Sequence, residues 1–410
     1  MPHYDSLETR DPAERERSLF DRLPRQVAHA KAHAPYFAEI LADIDPADIH
    51  NRAALATLPV IHKSDLIERQ KAAPPFGGLA ATPLGNLRHV YCSPGPILEP
   101  EGKGQDPWRM ARALYAAGFR PGDLVHNCFS FHFTPGAFIF AGGIARLGCP
   151  MFPAGVGQTD QQVEAITLMR PAGYVGTPSF LKIIADKADE QGADISSLKT
   201  ALVSGEALLP AVRKSFQERG LQVLQCYATA DLGLIAYETP VMEGMVIDED
   251  IIVEIVRPGT GDPVAEGEVG EVVVTTFNPD YPLIRFATGD LSAVLPGVSP
   301  CGRTNTRIKG WMGRADQTTK IKGMFVHPSQ VAALVKRHPE VRRARIVVDN
   351  ASGQDNMVVH CEVDSRPDGL AEALVGSVRD ITKLRGEVVL AAPGALPNDG
   401  KVIEDARKYD

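Results

Sequence analysis

The residues best suited to chemistry stand in short stretches that carry glycine. Lys401 lies in LPNDGKV, directly after Asn398, Asp399 and Gly400. A lysine is a point charge on a flexible stem, suited to meeting an anion as charge develops; the plainer reading is a surface lysine near a terminus. Asp290 follows Gly289 in RFATGDL. Its two acceptor oxygens suit a vicinal diol, and the competing reading is a turn aspartate. Arg285, at the start of that stretch, is open between a ligand contact and a buried pairing with a carboxylate. Asp231, in CYATAD, is a competent hard-oxygen ligand for a divalent ion. In SGEAL, Gly205 between Ser204 and Glu206 allows close backbone approach. Gln158 and Thr159 stand at a predicted helix start, where free amides meet polar or anionic groups, although Thr159 reads equally well as an N-cap. Phe129, Phe131 and Phe133 alternate with Ser130 and His132 in FSFHFTPGAF, a pattern that is usually core.

The elements that must position these residues follow from periodicity. Over roughly the first 75 residues, Leu23, Val27, Ala30, Ala34 and Phe37 recur at helical steps, and Pro35 predicts a break into two helices. This part reads as an accessory helical layer rather than the chemistry. In the centre, the apolar runs in VHNCFSF, PMFPAG, GYVGTP, TALVSGE and VLQCYATA alternate with helical patterns. The helical patterns begin near Thr159, Pro178 and Pro210. Strand and helix in alternation predict an α/β fold with a parallel sheet, whose ligands sit beyond the carboxyl ends of the strands. From Met245 the period changes to two, and IIVEIVRPGTGDPVAEGEVGEVVVTTF reads as two strands of a β-rich section. From about Asp316 a helix, a hairpin, a second helix and a strand predict a small α+β unit. The expected architecture is therefore a large N-terminal α/β domain, residues 1–315, and a small C-terminal domain, residues 316–410.

The order SGEAL, CYATAD, RFATGDL, GRADQTTKIKGMFVHP and LPNDGKV, supported by RPGDLVHN, RLGCPMFPAGVGQT and PCGRT, resembles the adenylate-forming enzymes. Within them it is similar to the phenylacetate–CoA ligase family, from about residue 15 to the end. The resemblance implies two half-reactions. A carboxylic acid and ATP give an acyl-adenylate and pyrophosphate. A small mobile lid then rotates, and the thiol of coenzyme A displaces AMP.

The resemblance also assigns roles. Lys401 would reach the α-phosphate and the substrate carboxylate. Asp290 would hold both ribose hydroxyls, with Arg285 nearby. Ser204, Gly205 and Glu206 match the adenine-side loop, and Tyr227, Ala228 and Thr229 complete the nucleotide site. Asp231 matches the position where the family usually has a glutamate that holds Mg²⁺. Phe129, Phe131, Phe133, Ala228 and Ile235 would line the acyl pocket, with Leu234 beside them, which suits an aromatic or medium apolar acid. Asp316 matches the hinge.

One stretch departs from the family. Where a Ser/Thr/Gly-rich phosphate loop is usual, this chain has YCSPGPILEPEGKGQD. Ser93 and Gly95 remain as candidate nucleotide contacts, with Lys103 beyond them. Pro94 and Pro96 have no amide hydrogen to offer a phosphate, and Glu99 and Glu101 are expected to repel one. The main reading is an AMP-forming acid–CoA ligase using ATP, Mg²⁺ and coenzyme A. The alternatives are an adenylating enzyme with another acceptor, or a binding protein on the same fold without ATP turnover.

Composition narrows the field in the same direction. With 43 Lys and Arg against 51 Asp and Glu, the net charge is −8. No basic block is present, which argues against nucleic-acid binding, since phosphate neutralisation supplies most of that affinity. No apolar run approaches the ~20 residues of a membrane span. None of the six cysteines forms a CxxC pair, which points to a reducing, cytoplasmic location. Cys301 in PCGRT has no neighbouring cysteine or histidine, so a four-ligand zinc site is not expected. The expected partners are small molecules (an acid, ATP and CoA), with homodimerisation left open.

Overall fold

The computed structural model describes residues 2–94, 96–315, 319–321, 324–349 and 355–407. The helical start of the chain behaves as its periodicity requires. Asp11 caps a helix over Pro12–His33, its side chain accepting from the amides of Ala13 and Glu14. Pro35 then opens a second helix, Pro35–Ile40. Leu19, Leu23, Val27, Ala30 and Phe37 are buried, so the apolar stripe faces inward as expected.

The central region is a nine-stranded sheet. Its alternating elements are β1 (Val125–Asn127), α1 (Gly136–Leu147), β2 (Met151–Phe152), α2 (Thr159–Met169), β3 (Gly173–Gly176), α3 (Pro178–Gln191), β4 (Thr200–Val203), α4 (Pro210–Glu218) and β5 (Gln222–Thr229). The antiparallel strands β6 (Gly233–Tyr237) and β7 (Met245–Ile247) follow. Seven of the nine strands stand in the order β2-β1-β3-β4-β5-β6-β7, with β1 to β5 parallel. The direction of winding reverses at β1/β3, and in open α/β sheets ligands bind in the crevice at that switch. Helix α2 begins at Thr159, but its N-cap is Gln158, which has φ of 50° and makes no side-chain cap bond. Thr159 is therefore inside the helix rather than capping it.

The chain divides into two compact units. The first comprises Met1–Val253, Val274–Thr288 and Leu295–Trp311. The second comprises Glu254–Val273, Gly289–Val294 and Met312–Asp410. Ile251–Val256 and Gly270–Thr276 are the strands expected from the period-two stretch.

The second unit contains α5 (Pro328–Arg337), β8 (Val341–Asp349), β9 (Asn356–Val363), α6 (Leu370–Thr382), β10 (Glu387–Ala391) and β11 (Ile403–Asp405). These strands form a sheet in the order β10-β9-β8-β11. Val331, Leu334, Leu374 and Val378 of the two helices share one core with Ile346, Val348, Val359 and Cys361 of the sheet. This is the α+β arrangement read from the tail. The two helices each bury one stripe against one sheet face, which suffices for a small independent core.

Candidate active site

The loop after β1 carries the aromatic run. Phe129 stacks on Phe140 of α1, with ring centroids 4.6 Å apart. Phe131 meets Phe138 edge-on at 5.5 Å, and Phe138 in turn lies 5.2 Å from Tyr91. Phe133 behaves differently. It is 82% exposed and held at φ of 60°, with its carbonyl accepting from the Cys92 amide at 2.8 Å. Phe133 therefore lines no enclosed pocket within its unit. Its backbone does the fixing, because the turn that docks on residue 92 throws the ring outward. Ile235 is fully buried within β6, and Ala228 packs on the core that holds Leu234.

The loop after β4 approaches the same end of the sheet. Gly205 has φ of +85°, and a side chain there would stand 3.7 Å from Thr177 Cγ2 and 3.9 Å from the Phe129 ring. Glycine is required by the backbone angle more than by space. Glu206 accepts from the Ser179 amide at 2.7 Å, setting a carboxylate against the first turn of α3. The Ser204 hydroxyl is spent on the Cys226 carbonyl at 2.9 Å, so it braces β4 against β5. Tyr227 is buried with its hydroxyl donating to Thr288 at 3.0 Å, and the Thr229 hydroxyl accepts from the Leu232 amide. Phe129, Thr177 and Gly205 thus converge at the β1/β3 switch point, while Ser204 and Tyr227 hold the strands behind them.

Arg285 is 1% exposed, and its guanidinium donates to the carbonyls of Ala56 and Leu58. Of the two roles open from sequence, burial favours a brace, and backbone carbonyls are among the groups it holds. In the second unit, Asp290 Oδ1 accepts from Arg314 at 2.9 Å. Gly289 makes room for this pair: a Cβ there would lie 2.7 Å from the Arg314 guanidinium.

Much of the departing stretch is paired as strand. His89–Ser93 and Ile97–Glu101 form an antiparallel hairpin, with Ser93 opposite Ile97. Glu99 is 1% exposed and turned back on its own hairpin. It accepts from the Ser93 hydroxyl and from the Ser93 amide at 3.2 Å. Where the sequence led us to expect Glu99 to face a phosphate and Ser93 to contact one, the two here face each other. Each satisfies the other, as buried polar groups must. Burial first, and then the charge of Asp231, push the Glu99 carboxyl up to about 7. Glu101 is likewise engaged, accepting from Tyr91 and contacting His89. Gly95 lies outside the described residues, as does Asp316.

Asp231 carries the second surprise. Its side chain is fully buried, and its Oδ2 pairs with Lys63 Nζ at 2.5 Å. Lys63 was missed because it stands 168 residues earlier, in the part read as an accessory layer. No local spacing announces it. Asp231 Oδ1 and the Tyr281 hydroxyl are buried without a hydrogen-bond partner among the described residues. Among those residues no group of three or more His, Cys, Asp or Glu is placed to hold a metal. Mg²⁺ dehydrates reluctantly and keeps several waters. Asp is one methylene shorter than the family's glutamate, which led us to expect an ion held there through water; a fully buried carboxylate already paired with an ammonium does not fit a hydrated Mg²⁺.

Lys401 is exposed on a braced loop. Its amide donates to Asp399 Oδ1 at 3.0 Å, and that same oxygen accepts from Arg345 at 2.7 Å. Arg345, 4% exposed on β8, also bonds Glu404. Gly400 has φ of +71°, and a Cβ there would strike Val269 at 2.5 Å. Burial would raise the Asp399 carboxyl, but the bonds from Arg345 and from the Lys401 amide hold it below the usual carboxylate range.

Comparison with known proteins identifies the family. Residues 108–278 match the family model described as AMP-binding enzyme. The phenylacetate-coenzyme A ligase of Thermus thermophilus is 30% identical, covering all of both chains. That of Escherichia coli (strain K12) is 30% identical over 80% of this chain and 77% of its own. A solved 2-hydroxyisobutyryl-CoA ligase, in complex with its acyl-AMP and CoA, superposes with a TM-score of 0.72 at 27% identity. The superposition covers 100% of this chain and 94% of the ligase. The chain belongs to the adenylate-forming enzymes, in the phenylacetate–CoA ligase family.

Proposed function

We propose that the acid activated by this AMP-forming CoA ligase is a small aromatic one, phenylacetate-like. The observation that carries the reading is the meeting of Phe129, stacked on Phe140, with Gly205 and Thr177 at the sheet's switch point. A flat apolar wall beside a glycine turn suits a ring on one side and a nucleotide on the other. The similarity to ligases of phenylacetate supports the same class.

In the first half-reaction a carboxylate oxygen of the acid attacks the α-phosphorus of ATP, and pyrophosphate leaves. Lys401 supplies positive charge to the α-phosphate and the carboxylate as that charge develops. Asp290, oriented by Arg314, takes the ribose hydroxyls. The 204–206 turn, braced through Ser204, borders the adenine. In the second half-reaction the CoA sulfur attacks the acyl carbon, and AMP leaves with the bonding electrons. Residues 1–315 form the catalytic domain in this reading, and 316–410 form the lid, hinged at Asp316. Mg²⁺ would, in this reading, neutralise charge on the ATP phosphates rather than bind Asp231.

Pyrophosphate release across a panel of acids, with and without CoA, tests the proposal. Aromatic acids should release about one pyrophosphate per enzyme without CoA and turn over repeatedly with it. Turnover only with an amine or a carrier-protein thiol would establish the alternative acceptor. No release with any acid would leave a binding protein.

A further inference from the structure

Asp231 already has a cation. Lys63 Nζ stands 2.5 Å from its Oδ2, and the two come from segments that no local motif joins. The carboxylate is fully buried, whereas Lys63 retains 26% of its side-chain exposure. Glu99, a second buried carboxyl, is close enough to feel the charge of Asp231, and it spends both oxygens on Ser93. Tyr281 is the other polar group that feels both carboxyls, and its hydroxyl is buried. One ammonium therefore balances one carboxylate, at the position where the resemblance led us to expect a divalent ion. A hydrated divalent ion needs room and several oxygens. Here Asp231 is fully buried, its Oδ2 is paired with a positive charge that would repel such an ion, and only the buried Oδ1 is left without a partner among the described residues.

We propose that the Lys63 ammonium, rather than a divalent metal, is the resident counter-charge of Asp231, and that Asp231 binds no metal while Lys63 is in place. Lys63 is then a positioning residue. It fixes Asp231 and offsets its charge beside the 89–101 hairpin. The proposal does not depend on which acid is activated.

The test is Mn²⁺ binding to the full chain without nucleotide, followed by the loss of the free-ion EPR signal. Wild type and Asp231→Asn should give superimposable titrations. Lys63→Ala opens both the charge and the space, and should gain affinity on the order of tenfold. Adding Asp231→Asn to that variant should remove the gain. A wild-type Mn²⁺ site that Asp231→Asn abolishes would overturn the proposal, as would a folded Lys63→Ala with no gain. If Lys63→Ala fails to fold, the comparison of wild type with Asp231→Asn decides alone. Pyrophosphate assays play no part in this readout, so its failure is distinct from failure of the ligase reading.

Discussion

The 89–101 hairpin and the loop carrying Lys401 use similar residues to opposite ends. Both place acids and a small polar residue at a turn. In the hairpin, Glu99 is 1% exposed, and its oxygens are consumed by the hydroxyl and amide of Ser93. In the Lys401 loop, Asp399 is also consumed, by Arg345 and by the backbone of Lys401 itself. There, however, the pairing leaves the lysine side chain exposed rather than absorbing it. The difference shows what separates a structural from a chemical charged residue. A buried group must satisfy itself within the fold, whereas an exposed one on a fixed backbone keeps its charge for a ligand. The hairpin is spent on its own stability, and the lysine loop is spent on presentation.

The strongest way to break this contrast is Lys401→Ala. Pyrophosphate formation should fall by about 10²–10³, the usual cost of removing one group that stabilises developing charge. Conversion of a supplied acyl-adenylate to thioester should persist, and equal loss of both half-reactions would remove Lys401 from adenylation. Next is Arg345→Met, which frees Asp399. Losing a charge-assisted bond of about 1.5–3 kcal/mol should slow adenylation roughly ten- to hundredfold. Arg345→Lys should recover part of the loss. A rate unchanged in single-turnover measurements would show that the loop needs no clamp. The Asp399 carboxyl is held low, so its contribution to stability is present above the ordinary carboxylate pKa and is lost as pH falls through the folded value.

Glu99→Gln probes the hairpin. The Glu99 carboxyl titrates at about 7 in the fold. A raised carboxyl binds its proton more tightly when folded, so wild-type stability should fall as pH rises from about 4.3 through about 7. The full span corresponds to a loss on the order of 3 kcal/mol. Gln can accept from the Ser93 amide through its one oxygen and donate from its NH₂ to the Ser93 hydroxyl, and it carries no charge. Melting temperatures of the variant should therefore lack this fall between pH 5 and pH 8, and parallel curves would show that Glu99 does not titrate there. The smallest effect belongs to Phe133→Ala. With its ring 82% exposed, stability should change by no more than about 0.5 kcal/mol. Phe129→Ala breaks the stack on Phe140, and should cost about 1–3 kcal/mol. It should also raise KM for aromatic acids more than Phe133→Ala does. Equal shifts in KM would return Phe133 to the pocket.

Much of the fold was legible because its signals are local. Pro35 split the first helices where expected. The apolar runs around Val125, Met151, Gly173, Thr200 and Gln222 became the parallel strands in sequence order. The tail gave its two helices and their sheet. The hairpin was not legible, since Pro94 and Pro96 stand where a phosphate loop was expected. Pro100 sits within the strand Ile97–Glu101, and that two-stranded pairing has edges on which a missing amide is tolerated.

The sequence by itself determined the order of strands and helices, the motif series and the family, because these depend on periods of two and 3.6 residues and on short glycine-bearing strings. Only the tertiary structure decided what each charged side chain faces. Lys63 meets Asp231 across 168 positions, Glu99 turns inward on Ser93, and Arg345, from a distant strand, joins the Lys401 amide in holding Asp399. Pairings of this kind are set by which surfaces the core brings together and by the cost of leaving a buried charge alone. Nothing in the local sequence encodes that cost.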